Sequence, residues 1–256
     1  MKPSKSYDVI ICGGGHSGVE ASLVSARLGC SVLMISMDLG AVGRMSCNPA
    51  IGGLAKGQIV KEIDVLGGIM GVATDASGLQ FKVLNKTKGK SVWSPRAQVD
   101  KRAYEKFVSR NINKTKNIET LEGEAVGVLT KGGRAIGVTL RDKTRIYSSA
   151  VVLTCGTFLS GLIHVGQKKI RAGRMGEAGA EGLTESLVSL GFKSARLKTG
   201  TPPRLNKNTI DWSKTKVVYG DKSPLPFSYR TKNFSPPSVP CHTIQTNKKC
   251  KKIIEQ

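Results

Sequence analysis

The stretch YDVIICGGGHSGVEASLVSARLG, residues 7–29, limits the possible folds more than any other. An apolar run from Tyr7 to Ile11 enters Gly13-Gly14-Gly15-His16-Ser17-Gly18 almost at once. Val19 to Leu28 then reads as a helix bearing the small residues Ala21, Ser22, Ser25 and Ala26. Ser31 to Ile35 is a second apolar run. Strand, glycine turn, helix and strand in that order make half of a dinucleotide fold. In the G-x-G-x-x-G pattern, Gly13 permits the tight turn and Gly15 lets a pyrophosphate reach the backbone. Gly18 lets helix and strand pack closely, and the helix N-terminus meets the phosphates with unpaired N–H groups. His16 and Ser17 lie inside this loop; His16 is assigned no chemistry beyond a hydrogen bond.

An acidic residue is expected about 20 positions after the glycines to hold the ribose. Ser36 stands at that strand end and Asp38 just beyond, where it reads equally well as a turn residue. The pattern alone does not choose between NAD and FAD. Further along, GQIVKEIDVL (57–66) and 100–110 have helical spacing, and residues 118–154 read as a small β-meander followed by a buried strand, Ala150 to Thr154. A strand ending in Thr-Cys-Gly after a meander favours FAD. Glu181 to Leu190 reads as another helix. After Gly200, prolines and lysines dominate and periodicity fades. The expected fold is α/β: a Rossmann-like FAD/NAD(P)-binding domain over residues 1–160, of the flavoprotein type that has two dinucleotide-binding domains. A small β-meander and an incomplete, basic second domain over 161–256 complete it.

Charge bears on the partner. The chain has 40 basic and 18 acidic residues, a net +22, of which +11 falls in residues 193–256. RNA is one reading and a lysine-rich solvated surface the other. The six cysteines are scattered without a C-x-x-C pair and only three histidines occur, so neither a zinc site nor a disulfide framework is expected. With no run of 18 apolar residues and no leader-like N-terminus, a cytoplasmic protein is expected.

Longer stretches add a resemblance. GGGHSG, RMSCNPAIGG, AKGQIVKEIDVLGG, LQFKVLNKTKGKSVWSPRAQVDK, VLTCGTFLSGLIHVG and RLKTGTPPR together resemble the MnmG (GidA) family from Tyr7 to about Asn247. The resemblance implies an FAD enzyme that builds the 5-carboxymethylaminomethyl group on the wobble uridine of certain tRNAs. NADH and methylenetetrahydrofolate would be co-substrates. The GTPase MnmE would be the partner, with a homodimer inside a heterotetramer. Gly13 to Gly18 match the family's FAD phosphate loop; Val126 and Thr184 match two further FAD contacts, with threonine where serine is expected. Cys47 matches a cysteine with a catalytic role.

A cysteine thiolate can add to C6 of a uracil and make C5 nucleophilic, provided its pKa is lowered. Arg44 and Lys56 are the cations near it in sequence. Lys198 and Arg204 flank a loop stiffened by Pro202-Pro203 and, with Arg174 in RAGRMGE, are candidates for substrate phosphates. Trp93 could stack on a base or belong to the rim of the core. The family's members continue beyond this chain's last residue, so a truncated product or one part of a split enzyme is expected. The alternative is a non-catalytic basic module binding tRNA or FAD.

Overall fold

The computed structural model describes residues 6–46, 48–198, 200 and 204–255. The central strand β1 (Ser6–Cys12) has no solvent face over its second half: Ile10 and Ile11 are fully buried and Cys12 nearly so. Continuous apolarity of this kind suits a parallel strand covered on both sides. After the glycine turn, α1 (His16–Arg27) lays Gly18, Val19, Ser22 and Ala26 against the sheet, and β2 (Val32–Ser36) returns parallel to β1 with Val9 opposite Val32.

The chain then leaves the sheet. β3 (Ala50–Gly52) is followed by α2 (Lys56–Val65), α3 (Met70–Ser77), β4 (Gly78–Leu84) and β5 (Ser94–Val99). The three strands form an antiparallel sheet in the order β3-β5-β4. Next, α4 (Lys101–Lys114) starts at Asp100, whose carboxylate accepts from the Arg102 and Ala103 N–H groups at 2.8 and 3.0 Å. Such an N-cap satisfies donors that the helix itself leaves unpaired. Tyr104, Val108 and Ile112, one helical turn apart, bury its inner face.

β6 (Ile118–Glu122) corrects the sequence reading. It is no part of a meander but the edge of the parallel sheet, paired with β2 through Val32 and Ile118. The meander consists of β7 (Ala125–Lys131), β8 (Arg134–Leu140) and β9 (Arg145–Leu153); the strand expected over Ala150 to Thr154 is the second half of β9, it ends at Leu153, and it is not buried, with Ala150 exposed and Val151 to Leu153 half-buried. Residues 145–147 of β9 pair antiparallel with β8, and residues 147–153 pair parallel with β1. One strand thereby joins the two systems into a six-stranded sheet of order β6-β2-β1-β9-β8-β7. The β7–β8 turn uses Gly132 and Gly133, both at positive φ (58° and 75°), as a two-residue hairpin with matching twist requires.

Beyond the sheet, β10 (Leu162–Val165) and β11 (Lys168–Arg171) form an isolated two-stranded ribbon. α5 (Leu183–Ser189) follows, with the Val128 N–H of β7 donating to Ser186 Oγ at 3.1 Å. A long irregular stretch contains the pair β12 (Lys216–Val218) and β13 (Cys241–Thr243), and α6 (Lys248–Ile254) follows an Asn247 cap.

The core has two parts. One gathers Ile11, Val19, Met34, Val60, Phe81, Tyr104 and Phe227; the other gathers Ile10, Leu33, Ile35, Val138 and Leu140 on the opposite face. Phe227 comes from the proline-rich stretch that the sequence left without periodicity. Two aspartates hold that stretch in place. Asp75 accepts from the N–H groups of Phe227 and Ser228 at 2.7 and 2.9 Å and from the Thr231 hydroxyl at 2.6 Å. Asp64, buried on α2, accepts from the Tyr229 N–H at 2.9 Å and from the Arg230 guanidinium at 2.9 Å. Residues 218–221 and 239 also bond to β4 through Gln80, Phe81, Val83 and Leu79.

Candidate functional site

The site is built around the turn between β1 and α1. Gly13 has φ +115°, and a Cβ there would lie 2.5 Å from the Thr154 carbonyl oxygen. A Cβ on Gly18 would lie 1.8 Å from the Gly13 carbonyl oxygen, so helix and turn touch backbone to backbone. Gly15 is the opposite case: a Cβ there would meet nothing within 4 Å. Two glycines are demanded by packing, and the third opens a space directly over the start of a twelve-residue helix. That helix has no side-chain cap at Gly15 and no acidic residue in its first turn. Its first N–H groups and its positive end face the open space, which is the environment a phosphate needs. The loop therefore fits a dinucleotide.

Thr154 locks the turn from the far side, its hydroxyl lying 2.9 Å from the Cys12 carbonyl oxygen and 3.1 Å from that of Gly13. The sequence reading marks Thr-Cys-Gly as the end of a returning strand but gives Thr154 no role. Its position directly after an apolar strand is the signal. Gly14 faces Ser36 and Val42, and the Gly43 N–H donates to the Gly14 carbonyl at 2.8 Å. Ser36 thus sits beside the loop, where a ribose is expected, though its hydroxyl donates to the Asp38 carbonyl at 3.0 Å. The Asp38 carboxylate caps its own turn through the Gly40 N–H at 2.8 Å and pairs with Arg44 at 3.3 Å, as a turn residue does.

His16 lies under the first turn of α1, its ring centroid 5.5 Å from that of Tyr104. Burial holds its pKa below the ordinary imidazole value, so it is neutral at pH 7, and its Nε2 is buried without a hydrogen-bond partner. Burial also pushes the Cys12 thiol up to about 12 and raises that of Cys155, which makes both poor nucleophiles.

Arg44 differs from its sequence-based role. It lies 3.1 Å from Glu105, 3.2 Å from Glu177 and 3.3 Å from Asp38. Three carboxylates offset its charge, so Arg44 is no source of net positive potential for a neighbouring thiol. The carboxylates come from residues 38, 105 and 177, which no local pattern connects. Cys47 itself lies outside the described residues, as do Thr199 and residues 201–203. Lys198 and Arg204 are exposed on the irregular stretch after α5. Arg174 pairs with Glu177 at 3.1 Å, which joins the RAGRMGE turn to the Arg44 network. Trp93 donates its indole N–H to the Lys88 carbonyl at 3.1 Å, at the rim of its own turn.

Val126 packs beside Gly182, and Thr184 beside Ser160. A Cβ on Gly182, two residues before Thr184, would lie 3.2 Å from Val126 Cβ, and the Thr184 hydroxyl lies 3.0 Å from that of Ser160. Val126, Ser160 and Gly182 line a cleft of about 830 Å3 that Arg141, Arg171 and Arg196 also border. Gly123, just upstream, donates its N–H to the Ser36 carbonyl at 2.9 Å, which ties this region to the end of β2. Among the described residues, no group of three or more His, Cys, Asp or Glu side chains is arranged to hold a metal ion, and no helix is long and apolar enough to cross a membrane.

A parallel sheet, a glycine turn opening onto a helix N-terminus and a meander feeding back to the central strand define a Rossmann-like α/β protein of the flavoprotein type. Residues 8–256 match the family model described as GIDA, glucose inhibited division protein A, and the chain belongs to that family. It is 46% identical over 250 residues to the tRNA uridine 5-carboxymethylaminomethyl modification enzyme MnmG of Geobacter sulfurreducens, covering 98% of this chain and 40% of that protein. It is 44% identical over 254 residues to the same-named enzyme of Thermodesulfovibrio yellowstonii, covering 99% and 41%. The structure of Aquifex aeolicus GidA in its form II crystal superposes with a TM-score of 0.88 at 43% identity, over 93% of this chain and 40% of that one. The chain spans about 40% of the length of the curated relatives it matches.

Proposed function

We propose that this chain carries the FAD-binding part of a tRNA-modifying enzyme that forms the 5-carboxymethylaminomethyl group on wobble uridine. The observation that carries this reading is the phosphate loop, closed at Gly13 and Gly18 and open at Gly15, in a chain of the GIDA family. The backbone donors of residues 13–18 hold the pyrophosphate, Ser36 lies toward the ribose, and Val126 and Thr184 supply further FAD contacts. Bound FAD supplies redox chemistry, with NADH as the reductant and methylenetetrahydrofolate as the one-carbon source. Cys47 is the proposed catalytic thiol, adding to C6 of the uracil so that C5 becomes nucleophilic. Lys198, Arg204 and Arg174 are proposed to contact substrate phosphates, with tRNA as substrate and the MnmE GTPase as partner of a homodimer. The place of action is the cytoplasm.

Residues 1–160 are proposed as the FAD-binding part and 161–256 as a basic second part. The basic excess of residues 193–256 favours a second reading, a basic module that binds tRNA or FAD without catalysis.

The test is flavin absorption of the purified chain, alone and coexpressed with the remaining segment of a full-length relative. Flavin in either preparation supports the reading, and its absence from both overturns it. Gly15→Ala separates the site from the fold: the melting temperature should hold while flavin is lost. In an assembly that modifies tRNA, Cys47→Ser should abolish modification; survival of activity removes the catalytic assignment and leaves the binding module.

A further inference from the structure

From Lys143 to Gly176 the sequence contains no acidic residue and six basic ones, Lys143, Arg145, Lys168, Lys169, Arg171 and Arg174. Three of the six lie on β11, which is exposed along its whole length. Its ribbon with β10 closes on a two-residue turn, Gly166-Gln167, with Gly166 at φ +57°. In the antiparallel register Lys169 stands opposite His164 and Arg171 opposite Leu162, so these four share one face. Lys169 and Arg171 are two residues apart on one strand, which spaces their cations by roughly 7 Å along that face. Lys168 adds a third charge at the tip.

Arg171 also borders the 830 Å3 cleft, where it joins Arg141 and Arg196 beside Val126. Glu124 pairs with Arg141, and Glu181 and Glu185 line the cleft as well, so the charges of the cleft balance. The net positive charge is therefore that of the ribbon, carried by Lys168, Lys169 and Arg171.

We infer that the β10–β11 ribbon is a docking element for the phosphate backbone of the RNA substrate. The inference rests on the tRNA reading above and adds to it a surface and a mode of contact. Lysines on an exposed strand meet phosphates as point charges, so the contact is electrostatic and independent of base sequence.

The experiment measures binding of a tRNA anticodon stem-loop to the full 256-residue chain over a range of salt concentrations. Lys169→Ala/Arg171→Ala should weaken binding about tenfold and lower the slope of log K against log salt by about two, one for each phosphate that the two cations no longer neutralise. Lys169→Arg/Arg171→Lys should retain affinity, and Lys249→Ala/Lys252→Ala on α6 should leave affinity and slope unchanged. An unaltered slope in the ribbon variant overturns the inference while the tRNA reading stands, and so does an equal loss in the α6 variant. Polyglutamate serves as the acidic-protein probe: a ribbon variant that loses polyglutamate but keeps RNA assigns the ribbon to a protein partner and also overturns it. A wild-type chain that binds no stem-loop removes both the inference and the tRNA reading.

Discussion

At the scale of single residues, three glycines in one short loop have unlike tolerances. Gly18→Ala places a methyl group against the Gly13 carbonyl and should destabilise the chain by about 2–4 kcal/mol, measured by urea unfolding. Gly15→Ala meets open space, so its effect should appear in flavin binding instead. Thr154→Val removes the hydroxyl that spans two carbonyls of the turn and should cost about 1 kcal/mol. The loop is legible in the sequence because its determinants are adjacent. Arg44 is not, because its three partners lie at residues 38, 105 and 177, and a side chain is assigned to its nearest sequence neighbour only when nothing distant competes. The same holds for Asp64 and Asp75, whose partners lie far downstream, in residues 227–231.

Among the elements, α2 begins under strain. Ala55 has φ 61° and ψ −44°, and the Lys56 N–H donates to the Leu54 carbonyl at 2.8 Å. That is the uncommon hand of the γ-turn, which a residue with a Cβ adopts only at a cost. Ala55→Gly should raise stability by about 1 kcal/mol in chemical denaturation. The strain lies between the Cys47 loop and the helix that holds Asp64. Helices α1, α2 and α4 are legible from spacing and caps, to within a few residues at their ends. The assignment of β6 fails for a physical reason: five residues of mixed polarity look alike at the edge of a parallel sheet and within a meander. The dual pairing of β9 is likewise invisible locally, since partner strands are chosen by the whole sheet.

For the molecule as a whole, charge and pH act in different places. Burial pushes the Asp64 carboxyl up, but hydrogen bonds from Ser228, Arg230 and Tyr229 outweigh it and hold its pKa below the ordinary 3.8. A carboxyl depressed on folding contributes its full stabilisation above its unfolded value and loses it as pH falls through the lower folded value. Unfolding free energy should therefore drop on acidification below 3.8, and Asp64→Asn should flatten that part of the profile while costing about 2–4 kcal/mol at neutral pH. Asp75 runs the other way: burial dominates and raises its pKa, so its contribution is complete below 3.8 and declines as pH rises through the folded value.

The two aspartates also decide where this polypeptide can be divided. Residues 227–231 supply the N–H groups, the hydroxyl and the guanidinium that neutralise carboxylates embedded in the N-terminal half. A polypeptide ending near residue 215 would strand both acids among hydrocarbon and expose the slot of Phe227, so it should be recovered as an aggregate. Supplying residues 216–256 as a separate peptide should restore solubility, because the missing donors would re-engage without a covalent link.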